Sequence, residues 1–485
     1  MHPDVVDFSA IALAAHVLVV AGVGLRVLSR RLPVGTTLAW LLLAFTLPAA
    51  GVALYLFIGE NRLGQRRGEQ WKHIHELYQD WQRRLVERSV VDWEVLHPRA
   101  RPLARLGQSI SGFPALPGHE VKLLSSWDAF IDALVADIEG AVSSCHLEFY
   151  IWDSPGRVGE IYSALARAAA RGVTCRVLVD AVGSKPFLAS PEAAGLRKVG
   201  VRVVAALPVG LLRMLLVRMD LRNHRKLAVI DGRVGYAGSA NLADPKHFKR
   251  KAGVGPWVDA MIRFRGPAVE VLNGTFLQDW ELETREGMTV LETADIRTVE
   301  PAGTAVAQVL PSGPGLQREN LHEMLVALLY AAERELILTT PYFVPDERML
   351  RALESAARRG VAVTLMVPER LDSILVRFAG ASAYELLMEA GMRIFRYRPG
   401  LLHTKLVTVD GRIATVGSMN LDMRSLWLNF ELSVVLYDQS SVAEIRALQQ
   451  AYLADSTELD LASWRQRPRR HRVGEGVLRL FGPLV

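Results

Sequence analysis

One pattern of residues occurs twice in this chain. It consists of a His, a Lys two positions later, an Asp-Gly pair beginning five positions after the Lys, and then Gly-Ser-x-Asn. The defining residues are His224, Lys226, Asp231, Ser239 and Asn241 in the first copy, and His403, Lys405, Asp410, Ser418 and Asn420 in the second. Matching residues are always 179 positions apart (403 − 224 and 420 − 241, for example). A coincidence of this length is very improbable, so the repeat predicts two similar halves with the same chemistry.

Each copy of the motif predicts a buried strand followed by a hairpin. Residues 227–230 and 406–409 are apolar or β-branched, as in a buried strand. Side chains two apart in a strand share a face, so each motif His lies on the same side as its Lys. Because Asp-Gly favours a tight turn, the chain should return and bring Gly-Ser-x-Asn back toward the His.

These side chains suit the chemistry of a phosphate ester. An imidazole can attack phosphorus or protonate a leaving oxygen, while an ammonium group and an amide hold the charged oxygens. A single His-x-Lys is more often the polar face of an edge strand, but two copies with the same trailing residues argue for a site. The two cysteines, Cys145 and Cys175, have no metal-site spacing, and the sequence contains no glycine-rich nucleotide loop.

The duplicated motif resembles that of the phospholipase D superfamily, or HKD family, over roughly residues 120–485. The resemblance implies two α/β/α halves that form a pseudo-dimer around one active site. It also implies that one His becomes a phosphohistidine and the other acts as general acid and then base, without metal or cofactor. By analogy, His224 is the expected nucleophile and His403 the acid–base residue. The expected phosphate-binding residues are Lys226, Lys405, Asn241 and Asn420, with Ser239 and Ser418 also assigned to substrate.

Four carboxylates accompany the histidines. Asp231 and Asp410 complete the motif and are counted with the catalytic residues, although each is seven positions past its His and could instead brace the fold. In relatives, a separate carboxylate downstream of Gly-Ser-x-Asn orients a His. Here Glu431 and Asp259 stand at the matching positions. A carboxylate on the second ring nitrogen would fix the tautomer and the basicity of an imidazole.

Two apolar runs near the N-terminus, residues 8–28 and 37–58, are each close to the ~20 residues that a membrane-spanning helix needs. A signal peptide is disfavoured because no basic segment precedes the first run and a second run follows at once. Two buried core helices are also disfavoured. The sequence therefore predicts a two-helix transmembrane hairpin in residues 1–62, which Pro48 could kink. Such a hairpin before two HKD motifs resembles the bacterial cardiolipin synthases.

The remaining boundaries follow from the alternation of strand and helix patterns. This alternation predicts an α/β fold whose sheet is covered by helices on both faces. The predicted segments are a juxtamembrane linker over 63–118, a first half over 119–290 with its motif at 219–246, and a second half over 305–485 with its motif at 398–425. The first half also has an insertion at 207–219, which would be either a lobe dipping into the bilayer or a helix packed on the core.

The net charge of +6 and the pI of about 9.3 favour anionic partners, either phospholipid headgroups or nucleic acid. The N-terminal apolar runs favour lipid, so phosphatidylglycerol and the bilayer are the expected partners, and nucleic acid is not. The resemblance implies a cardiolipin synthase, a phosphatidyltransferase that joins two phosphatidylglycerols and releases glycerol. A phospholipase D-type hydrolase and a membrane-anchored HKD nuclease are the alternatives. The expected location is the bacterial inner membrane, multi-pass, with the catalytic region on the cytoplasmic side. The oligomeric state is left open.

Overall fold

The structure is a computed structural model of the chain. It describes residues 8–30, 34–59, 65–210, 218, 220–286, 298–314 and 320–479. The chain divides into two compact units. One unit comprises Met1–Gly68 and Val209–Leu221, and the other comprises Glu69–Pro208 and Arg222–Val485. The insertion predicted at 207–219 lies outside the described residues, except for 207–210 and 218.

The described residues of the N-terminal unit include the helices α1 (Phe8–Ser29), α2 (Val34–Thr46) and α3 (Pro48–Ile58). Its small core includes Tyr55, which is fully buried and packs edge-on against Trp40 with 5.4 Å between ring centroids. The helix breaks at Leu47, whose φ of −127° and ψ of 71° are not helical. Pro48 explains the break, because its ring disfavours a helical conformation at the preceding residue and it has no N–H to donate.

The predicted transmembrane hairpin of residues 1–62 is not confirmed. In the part of the chain that the structure describes, no helix combines the length and the apolar character needed to cross a membrane. The run at 37–58, expected as one span, forms helices of 13 and 11 residues instead. A 13-residue helix extends only ~20 Å, well short of the ~30 Å hydrocarbon core of a bilayer. The multi-pass assignment therefore has no support from the described helices.

The helices α4 (Gln65–Glu87), α5 (Trp93–Leu96) and α6 (Ala100–Ser111) lead to the two α/β halves. The C-terminal part of α4 is amphipathic. Its buried residues recur at intervals of three and four positions and are Ile74, Tyr78, Trp81 and Leu85. The indole of Trp81 lies so close to Gly274 that a β-carbon there would meet it at 2.5 Å. This part of α4 is therefore a packing helix of the second unit.

The two halves contain matching series of elements. The first half consists of β1 (Leu116–Leu124), α7 (Trp127–Glu139), β2 (Ser144–Phe149), α8 (Val158–Ala170), β3 (Thr174–Asp180), α9 (Lys185–Leu188), α10 (Pro191–Lys198), β4 (Arg202–Ala206), β5 (Lys226–Ile230), β6 (Val234–Gly238), a 3-10 turn (Arg250–Ala252), β7 (Trp257–Val258), β8 (Met261–Arg265) and α11 (Ala268–Thr284). The second half consists of β9 (Ala305–Ser312), α12 (Asn320–Ala331), β10 (Glu335–Thr339), β11 (Phe343–Val344), α13 (Glu347–Arg358), β12 (Ala362–Pro368), α14 (Ile374–Glu389), β13 (Arg393–Tyr397), β14 (Leu401–Leu402), β15 (Leu406–Val409), β16 (Ile413–Gly417), β17 (Leu421–Asp422), α15 (Met423–Trp427), β18 (Glu431–Leu436), α16 (Gln439–Ala454), β19 (Ser456–Glu458), α17 (Leu461–Arg465) and α18 (Arg469–Arg479).

One 15-stranded sheet runs through both halves. Its order is β19-β13-β12-β10-β15-β16-β18-β9-β1-β8-β6-β5-β2-β3-β4. From the antiparallel β1–β9 pair at its centre, the strands repeat outward in the same relative order on each side. Strands joined by helical crossovers, such as β2, β3 and β4, run parallel, and the hairpins run antiparallel. The prediction of two similar α/β halves is thus confirmed, and the two motif hairpins occupy equivalent positions about a pseudo-twofold axis.

Candidate active site

Short backbone pairings between the halves bring the two motifs together. The His224 N–H donates to the carbonyl oxygen of Phe430 at 2.9 Å, and the His403 N–H donates to that of Val258 at 2.8 Å. The strand β14, just before His403, pairs in parallel with β7 of the first half. Each histidine is therefore anchored beside a segment of the opposite half, and the next residue of that segment is a carboxylate.

Each histidine pairs with a carboxylate from the opposite half, an arrangement called exchanged pairs below. His224 Nδ1 lies 2.9 Å from both carboxylate oxygens of Glu431. His403 Nδ1 lies 2.7 Å from Oδ1 of Asp259. Sequence reasoning identified both carboxylates but did not say which histidine each would meet. The exchange means that neither half holds a complete histidine–carboxylate pair.

Electrostatics keep both imidazoles neutral in the free protein. Burial lowers the pKa of His224 and of His403 to about 4, although the adjacent carboxylates act in the opposite direction. Burial would raise the pKa of Asp259, but His403, Lys405 and Ser239 outweigh it and hold this pKa at about 2. The pKa of Glu431 is likewise lowered, because His224 and Lys226 outweigh its burial. A neutral imidazole that donates Nδ1–H to an ionised carboxylate keeps a lone pair on Nε2, as a nucleophile or base requires.

Ser239 and Ser418 support these carboxylates. Ser239 Oγ donates to Asp259 at 2.7 Å and accepts from the Ala260 N–H at 3.1 Å. Ser418 Oγ donates to Glu431 at 2.5 Å and accepts from the Leu432 N–H at 2.9 Å. Each hydroxyl proton is thus directed to a carboxylate, and the assignment of both serines to substrate stays a prediction.

The motif lysines are buried and point back to their own histidines. Lys226 Nζ donates to the carbonyl oxygen of His224 at 2.6 Å, and Lys405 Nζ donates to that of His403 at 2.5 Å. Burial lowers the pKa of Lys226 well below its usual value and that of Lys405 to about 7. Because an ammonium group has three donor protons, each lysine retains hydrogen-bonding capacity for an anion.

The motif asparagines are buried in the same region. Asn241 Oδ1 accepts from the Ile151 N–H at 3.1 Å. Nδ2 of Asn241 and Oδ1 of Asn420 have no hydrogen-bond partner among the described residues. Buried polar atoms without partners are uncommon, and a free amide N–H suits an oxyanion. No cluster of three or more His, Cys, Asp or Glu side chains able to hold a metal ion occurs within the described ranges.

Asp231 and Asp410 are not at the histidines. Asp231 accepts from the backbone N–H groups of residues 142, 143 and 144 at 2.7–3.0 Å. Asp410 accepts from those of residues 333, 334 and 335 at 2.7–3.1 Å. Both have positive φ (53° and 54°) and precede a glycine of positive φ in the predicted hairpin turn. These contacts fasten the motif hairpin to the start of the neighbouring strand and favour the bracing role over the predicted catalytic one.

Replacing Asp231 by alanine is therefore expected to affect stability and not chemistry. Three charge-assisted backbone hydrogen bonds would be lost at a half-exposed site, so we expect the free energy of unfolding to fall by about 1–3 kcal/mol. Chemical denaturation measures this loss, and Asp231→Asn, which keeps one acceptor oxygen, is the matched control with a smaller loss. A large fall in turnover per folded molecule would contradict the bracing role.

Sequence reasoning missed several residues around the histidines. Tyr150 lies edge-on to His224 with 5.0 Å between ring centroids, and Trp257 packs on His403 at 4.3 Å. Burial and Asp180 raise the pKa of Tyr150, while Arg222 and Arg424 counteract them. The sequence signal for Trp257 was its position two residues before Asp259. Nothing local pointed to Arg424.

Arg225 was also missed, although it lies between the motif His and Lys. Its side chain points away from theirs and is almost fully buried. It is ion-paired with Asp279, donates from Nε to the carbonyl oxygen of Glu431 at 3.1 Å, and donates from a terminal nitrogen to that of Ser312 at 2.9 Å. Arg225 thus fixes the backbone of Glu431, whose carboxylate pairs with His224, the residue next to Arg225.

Comparisons with known proteins agree with this geometry. A family model described as "Cardiolipin synthase, PLD-like domain" matches residues 134–253 and 325–452. Cardiolipin synthase A of Yersinia pseudotuberculosis serotype O:1b (strain IP 31758) is 42% identical over 480 residues, covering 98% of both chains. Cardiolipin synthase A of Serratia proteamaculans (strain 568) is 42% identical over 471 residues, covering 96% of both. Among solved structures, phosphatidylserine synthase of Haemophilus influenzae Rd KW20 matches with a TM-score of 0.59 and 16% identity, covering 79% of this chain and 100% of that one. At that identity the likeness shows a shared fold.

Proposed function

The chain belongs to the cardiolipin synthase family with phospholipase D-like domains and is an enzyme of the phosphatidyltransferase type, and we propose that its donor and acceptor are both phosphatidylglycerol. The observation that supports the transfer chemistry of this proposal is the pair of buried histidines, each held by the carboxylate of the opposite half. Such a pair can supply one nucleophile and one proton carrier to the same phosphodiester. The lipid substrates imply that the enzyme works at a bilayer surface.

In the proposed first step, Nε2 of His224 attacks the phosphorus of the donor. The new P–N bond forms as the bond from phosphorus to the glycerol oxygen breaks, and Nε2–H of His403 gives its proton to that oxygen. The buried anionic phosphodiester favours protonation of His403, because an opposite charge raises the pKa of an imidazole. Lys226 and Lys405 stabilise the negative charge that the phosphoryl oxygens carry in the transition state.

In the proposed second step, the terminal hydroxyl of another phosphatidylglycerol gives its proton to Nε2 of His403. Its oxygen bonds to phosphorus as the P–N bond to His224 breaks, and cardiolipin is released. One phosphodiester replaces another, so the net free-energy change is small and no nucleotide is consumed. We propose that residues 119–290 and 305–485 are the two halves that perform this exchange, with residues 63–118 as the preceding linker.

The reaction is tested with the purified full-length protein in phosphatidylglycerol vesicles containing EDTA. We expect cardiolipin and free glycerol to appear in equal amounts, and neither to appear with the His224→Ala variant. Mass spectrometry separates cardiolipin from phosphatidic acid. Phosphatidic acid as the main product would mean that water is the acceptor and would replace this proposal with hydrolysis.

The buried lysines predict a limit on activity at alkaline pH. Because burial lowers the pKa of Lys405 to about 7, its charge predominates below that pH and is lost as the pH rises through it. We expect kcat/KM for phosphatidylglycerol to decline above about pH 7, by up to tenfold per pH unit. In the Lys405→Arg variant the cation persists, so this decline should move to higher pH even if the absolute rate is lower. Identical pH profiles for the two proteins would contradict the assignment.

A further inference from the structure

A polar cluster beside His403 takes no part in the transfer to phosphorus described above. Asp372 lies just before α14. Its carboxylate accepts from the Tyr342 hydroxyl at 2.8 Å and is ion-paired with Lys249 Nζ at 3.0 Å. The Asp372 side chain is only 7% exposed. Lys249 belongs to the first half and the other two residues to the second, so the cluster spans the same boundary as the histidine–carboxylate pairs.

The indole of Trp257 connects this cluster to His403. Lys249 Nζ lies 5.5 Å from the ring centroid of Trp257, whose indole packs on His403. Burial would raise the pKa of Asp372, but Lys249, Tyr342 and His403 outweigh it and keep the carboxyl ionised. The cluster therefore borders the active site on the side of the acid–base histidine.

The cluster also offers unused hydrogen-bonding capacity. Trp257 is buried, and its Nε1–H has no hydrogen-bond partner among the residues that the structure describes. Lys249 has a φ of 46°, a left-handed conformation that is unusual for a residue with a side chain. Such strain tends to be retained where a residue must be held for function. A carboxylate acceptor, an ammonium donor and an indole donor together suit a neutral ligand with more than one hydroxyl group.

The surroundings of the two histidines differ, although the motifs match. The residue two before Glu431 is Asn429, which donates to that carboxylate at 3.1 Å, whereas the residue two before Asp259 is Trp257. Beside His224, burial and Asp180 raise the pKa of Tyr150, and Arg222 and Arg424 lower it. Beside His403, the Asp372 carboxylate accepts hydrogen bonds from Tyr342 and Lys249. A buried carboxylate that accepts hydrogen bonds suits an uncharged polyol as the ligand on that side.

We propose that Asp372, together with Lys249, Tyr342 and Trp257, binds the vicinal diol of the acceptor headgroup and presents its terminal hydroxyl to His403. This inference rests on the proposed function, whose second step it deepens. The terminal hydroxyl gives its proton to His403 Nε2 as its oxygen bonds to phosphorus and the P–N bond to His224 breaks. The neighbouring hydroxyl donates a hydrogen bond to Asp372 throughout and transfers no proton. Water has no second hydroxyl, so the cluster favours the lipid acceptor over hydrolysis.

The test uses two soluble alcohols that differ only in the second hydroxyl. The full-length protein in phosphatidylglycerol vesicles is supplied with equal concentrations of 1,2-propanediol and 1-propanol, which each carry one primary hydroxyl. Mass spectrometry gives the ratio of the two phosphatidyl alcohols. We expect the wild-type protein to favour the diol roughly tenfold or more, since a hydrogen bond to a buried charged group discriminates by that order. Asp372→Asn should bring the ratio close to one and increase the share of phosphatidic acid.

Matched variants separate diol binding from a purely structural latch between the halves. Asp137→Asn removes another ion-paired carboxylate, whose partners are Arg263 and Tyr236, and should leave the diol preference unchanged. Trp257→Phe keeps a ring on His403 but removes the Nε1–H, and should lower the preference. If Asp372→Asn fails to fold, Trp257→Phe and Tyr342→Phe supply the same readout.

The possible outcomes distinguish the inference from the proposed function. If the wild-type protein forms neither cardiolipin nor phosphatidyl alcohols, the proposed function fails. If it forms cardiolipin but has no diol preference, or if the folded variants of Asp372, Trp257 and Tyr342 keep the wild-type preference, the inference alone is overturned. A lower thermal unfolding midpoint with an unchanged product ratio would assign the cluster to a latch.

Discussion

Replacing His224 by alanine is expected to abolish cardiolipin formation, lowering kcat by on the order of 10⁵-fold or more. The reason is that the variant has no atom to form the covalent intermediate. His403 and the lysines would remain, but an uncharged lipid hydroxyl would then have to displace glycerol directly. Turnover in phosphatidylglycerol vesicles measures the loss, and His403→Ala serves as the comparison.

A donor with a good leaving group distinguishes the roles of the two histidines. Phosphatidyl-p-nitrophenol needs no proton on its leaving oxygen, so His403→Ala should release one equivalent of nitrophenolate in a burst and accumulate an acid-labile phosphohistidine. His224→Ala should show no burst. The reverse result, with a burst only in His224→Ala, would exchange the assignments of nucleophile and acid–base residue.

The second large effect is expected from Glu431→Gln. The carboxylate of Glu431 lies 2.9 Å from Nδ1 of His224 through both oxygens and holds the imidazole with its lone pair on Nε2. An amide in its place can donate to Nδ1, which would put the ring proton on Nε2 and remove the lone pair. Loss of the correct tautomer costs about 10³–10⁴-fold in comparable histidine–carboxylate pairs. We expect kcat for cardiolipin formation to fall by that order, with little change in KM.

Burst kinetics with phosphatidyl-p-nitrophenol provide the control for this effect. Glu431→Gln should slow the burst itself, since it impairs the nucleophile. Asp259→Asn should leave the burst rate nearly unchanged and slow the later turnover, because its carboxylate orients the acid–base histidine. Equal effects of the two substitutions on the burst would contradict the separate roles of the exchanged pairs.

The chemistry of the site was predictable from sequence because it depends on short-range patterns. The buried strand that begins at Lys226, two residues after His224, the Asp-Gly turn and the returning Gly-Ser-x-Asn all follow from local rules. The hydrogen-bond partners of Ser239 and Asp231 were not predictable in the same way, because those partners belong to other segments of the chain. The exchange that places Glu431 beside His224 depends on how the two halves meet, which no local pattern encodes.

The predicted N-terminal hairpin is not confirmed, and for its second run the reason is local. The run at 37–58 was interpreted by its average apolarity, and the effect of Pro48 was expected to be a kink. The structure instead ends one helix before Leu47 and begins another at Pro48. The aromatic residues of α4 illustrate a related ambiguity, because Trp81 could have faced lipid headgroups or protein. Only the buried packing of its indole on Gly274 distinguishes these alternatives.

The exchanged histidine–carboxylate pairs have a consequence for how such an enzyme can evolve. Two identical copies of one half, associating as a homodimer, would complete two equivalent pairs and would surround both histidines with the same residues. Joining the halves in one polypeptide removes that constraint, because each copy can then mutate alone. Trp257 beside one carboxylate and Asn429 beside the other are differences that a homodimer of identical halves could not hold. Covalent linkage thus allows a symmetric fold to treat its two substrates differently.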